Sequence, residues 1–254
     1  MIYIYDGTWN CFLTAVHHYY YDRQEVANIE SVLSYHQNLI DEYRHITSDK
    51  TKAKAVEQAI LNKISLEGLE NIQKCFFSEL EGREMAIMHY IKLGFKIGSK
   101  IDYMLGDQIV LNVLIPARKV GMECHRMLGL IRFELLESNI YYAKIQPDHN
   151  IISFISPHFK ERFADQNWVI HDIKRNLASL YNTRRMLISY MDLSDIPELH
   201  AEEIKFQDLW KNYYKHIAIK SRYNPKLQKH FIPKRYWKNL TEKQYGGVSS
   251  LIKN

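Results

Sequence analysis

Cysteine is scarce in this chain: Cys11, Cys75 and Cys124 stand far apart, with no Cys-x-x-Cys pair. That spacing excludes a disulfide framework, a zinc site and the ligand cradle of an iron–sulfur cluster, and it suits a reducing cytoplasm. No run approaches the roughly 18 uncharged apolar residues of a membrane span. Met1–Asp6 lacks the basic start and small-residue cleavage site of a signal peptide. Repeats and low-complexity linkers are also missing, and so are a phosphate loop, a dinucleotide fingerprint, a serine elbow and a metalloprotease helix. Gly94-Phe95-Lys96-Ile97-Gly98 has no Gly-Lys-[Ser/Thr] ending. Adjacent His17 and His18 would point about 100° apart on a helix, which is poor geometry for one metal, and Cys124-His125 has no second pair. No metal or cofactor is expected.

One sign of charge is missing from the end of the chain. The stretch Arg222–Lys238 holds Arg222, Lys226, Lys229, Lys234, Arg235 and Lys238, the aromatics Tyr223, Phe231, Tyr236 and Trp237, and no acid. From Lys211 to Lys243 ten cations face Glu242 alone, a net +9 in a chain whose total is +5, so the remainder sums to −4. Cations interleaved with aromatics form the footprint of a surface that grips phosphates and stacks on bases. Pro225 and Pro233 argue for a turning backbone rather than a long recognition helix, which favours backbone gripping over major-groove reading. In this reading Arg222, Lys226, Lys229, Lys234, Arg235 and Lys238 hold phosphates, and Tyr236 or Trp237 stack or anchor the tail. The apolar tail residues predict an ordered segment with Trp237 mostly buried and with Lys234 and Arg235 pointing outward.

With 46% hydrophobic residues and 18 tyrosines in 254, the chain has material for a substantial core. Ile2–Tyr5 is a short β-prone run stopped at Asp6-Gly7, and Thr8 caps a helix with Trp9, Phe12, Leu13, Val16 and Tyr20 on one face. Residues 22–50 give no clear pattern. Helices are predicted over Thr51–Lys63, from Ser65 to Gly82, over Arg83–Ile97, over Gln108–Ile115, and from Pro116 to Gly129. Alternation around Ser138-Asn139 predicts an antiparallel hairpin over Ile131–Ile145, and a second hairpin joins Trp168–His171 to Leu177–Tyr181, with Met186–Met191 as a further strand. A helical stretch from Pro147-Asp148 to Phe163, interrupted at Pro157, lies between the hairpins. Pro197, Glu198 and Glu202 suit the start of a helix striped by Phe206, Leu209, Trp210, Tyr213 and Ile217. The fold class is α+β: a helical region 1–129, antiparallel hairpins around a helix over 130–195, a helix plus basic tail over 196–245, and a loose end at 246–254.

Asp148, His149 and His158, with Arg162 one helical turn beyond, form the one close grouping of acid–base side chains in the sequence, a set suited to proton transfer on a phosphate ester. Without a nucleophile motif the simpler expectation prevails: Asp148 caps a helix and the histidines lie apart from it.

Tyr5-Asp6-Gly7-Thr8, Gly82-Arg83-Glu84, Leu93-Gly94-Phe95, Pro147-Asp148-His149, Pro157-His158-Phe159 with Arg162-Phe163, Asp165-Gln166 with Trp168-Val169-Ile170, Asn224-Pro225-Lys226-Leu227-Gln228 and Pro233-Lys234-Arg235-Tyr236-Trp237 occur in family order along the chain. Together they resemble the bacterial "probable DNA metabolism protein" family, domain-of-unknown-function family 4130. The chain departs from it in Thr8-Trp9, where relatives tend to have Ser-Phe, and in running past the usual stop from Gln244 onward. The resemblance implies a radical-SAM partner protein acting in DNA modification or repair, and it assigns no catalytic residue. The expectation is a cytoplasmic DNA-binding accessory to that partner. The alternatives are an enzyme acting on a nucleotide or nucleobase at Asp148, His149 and His158, and a protein–protein adaptor that never touches DNA. Radical-SAM chemistry in this chain itself is excluded, because the Cys-x-x-x-Cys-x-x-Cys ligands are absent.

Overall fold

Thr8 stops the first strand and starts the first helix. Its hydroxyl accepts from Cys11 N (3.3 Å), and Asp6 Oδ1 accepts from the backbone N and hydroxyl of Thr8. The computed structural model describes residues 1–22, 25–36 and 42–243, arranged as two compact units, Met1–Gly121 and Met122 onward. The predicted loose end, 246–254, lies outside the described residues.

In the first unit, β1 (Ile2–Tyr5) leads into α1 (Trp9–Tyr21), then β2 (Asn28–Ser31) and β3 (Tyr43–His45). The order is β2-β1-β3, with both pairings parallel: Ile2 stands opposite Asn28 on one side and Tyr43 on the other. The stretch without clear pattern therefore holds two strands, and the helical first region carries a small parallel sheet. All four residues of the middle strand are buried, as expected where both faces of a parallel sheet are covered. Next come α2 (Lys50–Lys63), capped by Asp49, α3 (Leu66–Phe76), capped by Ser65, and α4 (Arg83–Ile97). Tyr3, Tyr5, Phe12, Ile60, Ile72, Ile87 and Tyr90 belong to one core.

Pro116 does not begin a new helix. It lies inside α5 (Gln108–Leu130), which continues through the two stretches expected to be separate. A proline there cannot donate to the carbonyl four residues back. That carbonyl, on Asn112, receives the buried Cys75 thiol at 4.0 Å, and burial pushes the thiol pKa up to about 12.

The second unit is built on a five-stranded sheet in sequence order: β4 (Glu134–Leu135), β5 (Tyr141–Ile145), β6 (Asn167–Asp172), β7 (Leu177–Asn182) and β8 (Met186–Tyr190). Both expected hairpins and the extra strand are present, although the first hairpin is short on its leading arm. The sheet is mixed, however, because β5 and β6 run parallel, joined by α6 (Ile152–Arg162). A crossover containing a helix makes the parallel pairing feasible where a tight turn would not. The helix starts five residues after Pro147, and Pro157 sits within it without interrupting it. α7 (Glu203–Ile217), α8 (Pro225–Phe231) and the 3-10 turns Lys220–Arg222, Lys234–Asn239 and Thr241–Lys243 are the last elements among the described residues. No helix among the described residues is long and apolar enough to cross a membrane.

Candidate nucleic-acid interface

Asn224 opens the tail helix: its side chain accepts from Leu227 N, and Pro225 occupies the first helical position, where no donor is needed. The tail is ordered as expected, and of the two aromatics expected to stack or anchor it Tyr236 is the more deeply buried. Tyr236 is 2% exposed. Trp237 is mostly but not fully buried; its indole N–H donates to Ile232 O at 2.9 Å, and Lys243 Nζ lies 4.9 Å from its ring centroid.

The Tyr236 hydroxyl donates to Glu123 Oε1. Glu123, 3% exposed, also accepts Asp148 N (2.8 Å) and His149 N (2.9 Å). Three donors compensate a carboxylate that would otherwise be costly to bury. Burial, reinforced by Glu123, raises the Tyr236 pKa well above the usual phenol value. Arg235 lies across the Tyr236 ring, 4.6 Å from its centroid, and pairs with Asp148 Oδ2 at 2.7 Å, with both side chains about half exposed at 48% and 50%.

Two sites that were separate in sequence therefore meet. Asp148 does not cap α6: residue Ile151 precedes that helix, with no side-chain cap, and the Asp148 carboxylate faces Arg235 instead. His158 lies exposed on α6, edge-on to Phe159, and Arg162 is exposed in the last turn of that helix. Among the described residues no group of three or more His, Cys, Asp or Glu is placed to hold a metal ion. Arg235 points outward only in part, because it latches the tail. Arg222, Lys226, Lys229 and Lys234 are exposed and make no ion pair among the described residues. Lys238 is exposed in the same 3-10 turn as Tyr236.

Glu242, the lone acid of the cationic stretch, is buried as well. It accepts Arg132 through both oxygens (2.8 and 3.2 Å) and Trp210 Nε1 (3.0 Å). Burial alone would raise its pKa, but the bonds from Arg132 and Trp210 outweigh that and hold it below the ordinary carboxylate value. Its standing as the one acid among ten cations was a usable signal. Glu123 left a fainter one: it lies three residues after Val120 and four before Met127, on the apolar stripe of α5.

Arg132, Trp210 and Thr241 also line a cleft of about 510 Å³ with Phe133, Tyr141, Phe206 and Gln207. Phe133 and Tyr141 are shared with an adjoining recess of about 310 Å³ that includes Phe163, Asp165, Gln166 and Trp168. Sequence reading missed this cleft, because its aromatics come from segments up to 77 residues apart, Phe133 to Trp210, with no common motif.

In the first unit, Tyr5 donates to the buried Glu84 at 2.7 Å, joining two of the stretches on which the family resemblance rests. No curated protein and no solved structure matches the chain. The family model of the domain of unknown function DUF4130 matches residues 81–242, a span that runs from Glu81, beside Glu84, through Glu123 and the tail to Glu242, and the chain belongs to that family.

Proposed function

We propose that the protein is a DNA-binding accessory in DNA modification or repair, working in the cytoplasm beside a radical-SAM enzyme. The observation that carries the DNA reading is the set of exposed cations Arg222, Lys226, Lys229 and Lys234, without ion pairs among the described residues, on a tail fixed by buried Tyr236. Unneutralised charge on an ordered segment suits a polyanion, and ordering the tail beforehand lowers the entropic cost of binding. The radical-SAM partner and the repair setting rest on the family resemblance. Against the enzymatic alternative, the one acid of its proposed group, Asp148, is held by Arg235.

A protein-docking role has one observation in its favour: the α7 stripe Phe206, Leu209, Tyr213 and Ile217 is exposed.

The test is DNA affinity against salt. Four neutralised phosphates give a log–log slope of about −3.6 on duplex or about −2.8 on single strand. Lys226→Glu with Lys229→Glu should weaken binding to all sequences alike. A flat salt dependence, or full affinity in the double variant, removes the tail as the binding site.

A further inference from the structure

We infer that the aromatic cleft beside the tail receives an unstacked base of a single nucleic-acid strand whose phosphates the tail holds, an inference that rests on the DNA-binding reading above. The first ground is shape and lining. At about 510 Å³, with an adjoining recess of about 310 Å³, the cleft falls in the range of small-molecule sites. Four of its lining residues are aromatic, Phe133, Tyr141, Phe206 and Trp210, beside Arg132 and the carboxylate of Glu203, which accepts from Gln207 and from Leu135 N. Aromatic faces take any base by stacking, without needing its sequence.

The second ground is the polar chemistry available along those walls. Gln207 gives its amide N–H to Glu203 (3.1 Å), leaving its carbonyl oxygen as an acceptor. In the recess, Gln166 offers both a donor and an acceptor. Trp168, only 1% exposed, also lines the recess, and its buried indole N–H has no partner among the described residues.

The third ground is continuity with the tail. Thr241 forms part of the cleft wall, and the next residue, Glu242, is bonded to Arg132 and Trp210, which line it too. The segment bearing Lys234 and Lys238 thus leads directly into the wall. The occupant we infer is therefore a strand held by the tail, whose cations lie next in sequence to the cleft wall. A base within a duplex is stacked and paired, so only a single strand or an extruded nucleotide can present one there.

Phe206 is the residue to change, because it is 56% exposed and its loss leaves the Glu242 bonds intact. Full-length wild type, Phe206→Ala and Lys226→Glu/Lys229→Glu would be titrated by anisotropy with a single-stranded oligonucleotide, the same sequence as duplex, and a deoxynucleoside monophosphate. The expected result is tighter binding of the single strand than of the duplex. Phe206→Ala should weaken the single strand by about 5- to 150-fold, the value of one lost stack, and leave the duplex unchanged. If the duplex binds as well as the single strand, or Phe206→Ala leaves the single strand unaffected, the inference falls while the phosphate-gripping reading stands. If the charge reversal changes nothing on any ligand, that reading falls and takes the inference with it. Saturable binding of the monophosphate, lost in Phe206→Ala and without oligonucleotide binding, assigns the base to a free nucleotide and overturns the strand.

Discussion

Tyr236→Phe isolates what holds the tail in place. The substitution keeps the buried ring and the Arg235 guanidinium over it, and removes only the hydroxyl that donates to Glu123 and accepts from Arg235 Nη2 at 3.1 Å. Glu123 keeps its two backbone donors, so no charge is stranded outright. A hydrogen bond to a charged group contributes about 1.5–3 kcal/mol. For a chain of this size each kcal/mol moves the melting temperature by about 2–4 °C, so a fall of about 3–12 °C is expected. Glu123→Gln should cost more, since an amide has one acceptor oxygen for three donors and brings an N–H with nothing to receive it. Limited trypsin digestion supplies the local readout. If the hydroxyl is the latch, cleavage after Lys234, Arg235 and Lys238 should accelerate in Tyr236→Phe relative to cleavage in α5. Trp237→Phe, whose lost hydrogen bond runs to Ile232 O inside the tail itself, should lose about 0.5–1.5 kcal/mol through that bond. An unchanged melting temperature together with an unchanged trypsin pattern in Tyr236→Phe would refute the latch, leaving the tail held by its apolar contacts alone.

How legible all this was depends on whether a signal is local. Thr8 and Ser65 announce helix starts because a cap is written within three residues, and the structure has both bonding as a cap should, whereas the short tail helix capped by Asn224 reads in sequence only as a turning backbone. The strand Asn28–Ser31 could not be read in the same way. It is short and lies on an edge, and buried Ile29 and Ser31 are all the periodicity it offers. Pro116 misled for the opposite reason. Its local rule is correct, but a thiol from another helix answers the carbonyl that the rule leaves without a donor, and nothing near Pro116 signals Cys75. The parallel pairing of β5 with β6 is likewise a consequence of α6 lying between them, not of any residue in either strand.

The candidate site divides along the same line. Charge composition located the tail and its cations. It could not say which aromatic is the anchor, because Trp237 is the larger side chain and burial by area alone favours it. What decides for Tyr236 is a polar partner, Glu123, 113 residues away in sequence. Arg235 shows a cation of the row diverted to a structural pair, and only the fold reveals its partner, Asp148.

Two further outcomes are expected. Gly94→Ala should destabilise the first unit despite alanine's better helix propensity, because a Cβ there would meet Ile64 Cδ1 at 2.4 Å and Cγ1 at 2.9 Å; a variant as stable as wild type in urea would contradict that close approach. Stability should also fall in two steps on acidification. His171 is buried, and burial outweighs its neighbour Asp172 in lowering its pKa below the ordinary 6.5. The unfolded chain therefore takes up that proton first, so the stabilisation is complete above about pH 6.5 and declines as pH falls toward the folded value. Glu242, held below 4.5 by Arg132 and Trp210 despite its burial, adds the second step: its contribution is complete above about pH 4.5 and is lost as pH falls through its lower folded pKa. Urea midpoints measured from about pH 8 downward should stay level and then bend twice, and Arg132→Ala should flatten the lower bend while leaving the upper one. A midpoint that rises between about pH 6.5 and 4.5, where the unfolded chain is expected to bind the extra proton, would show that His171 is not held neutral in the folded protein.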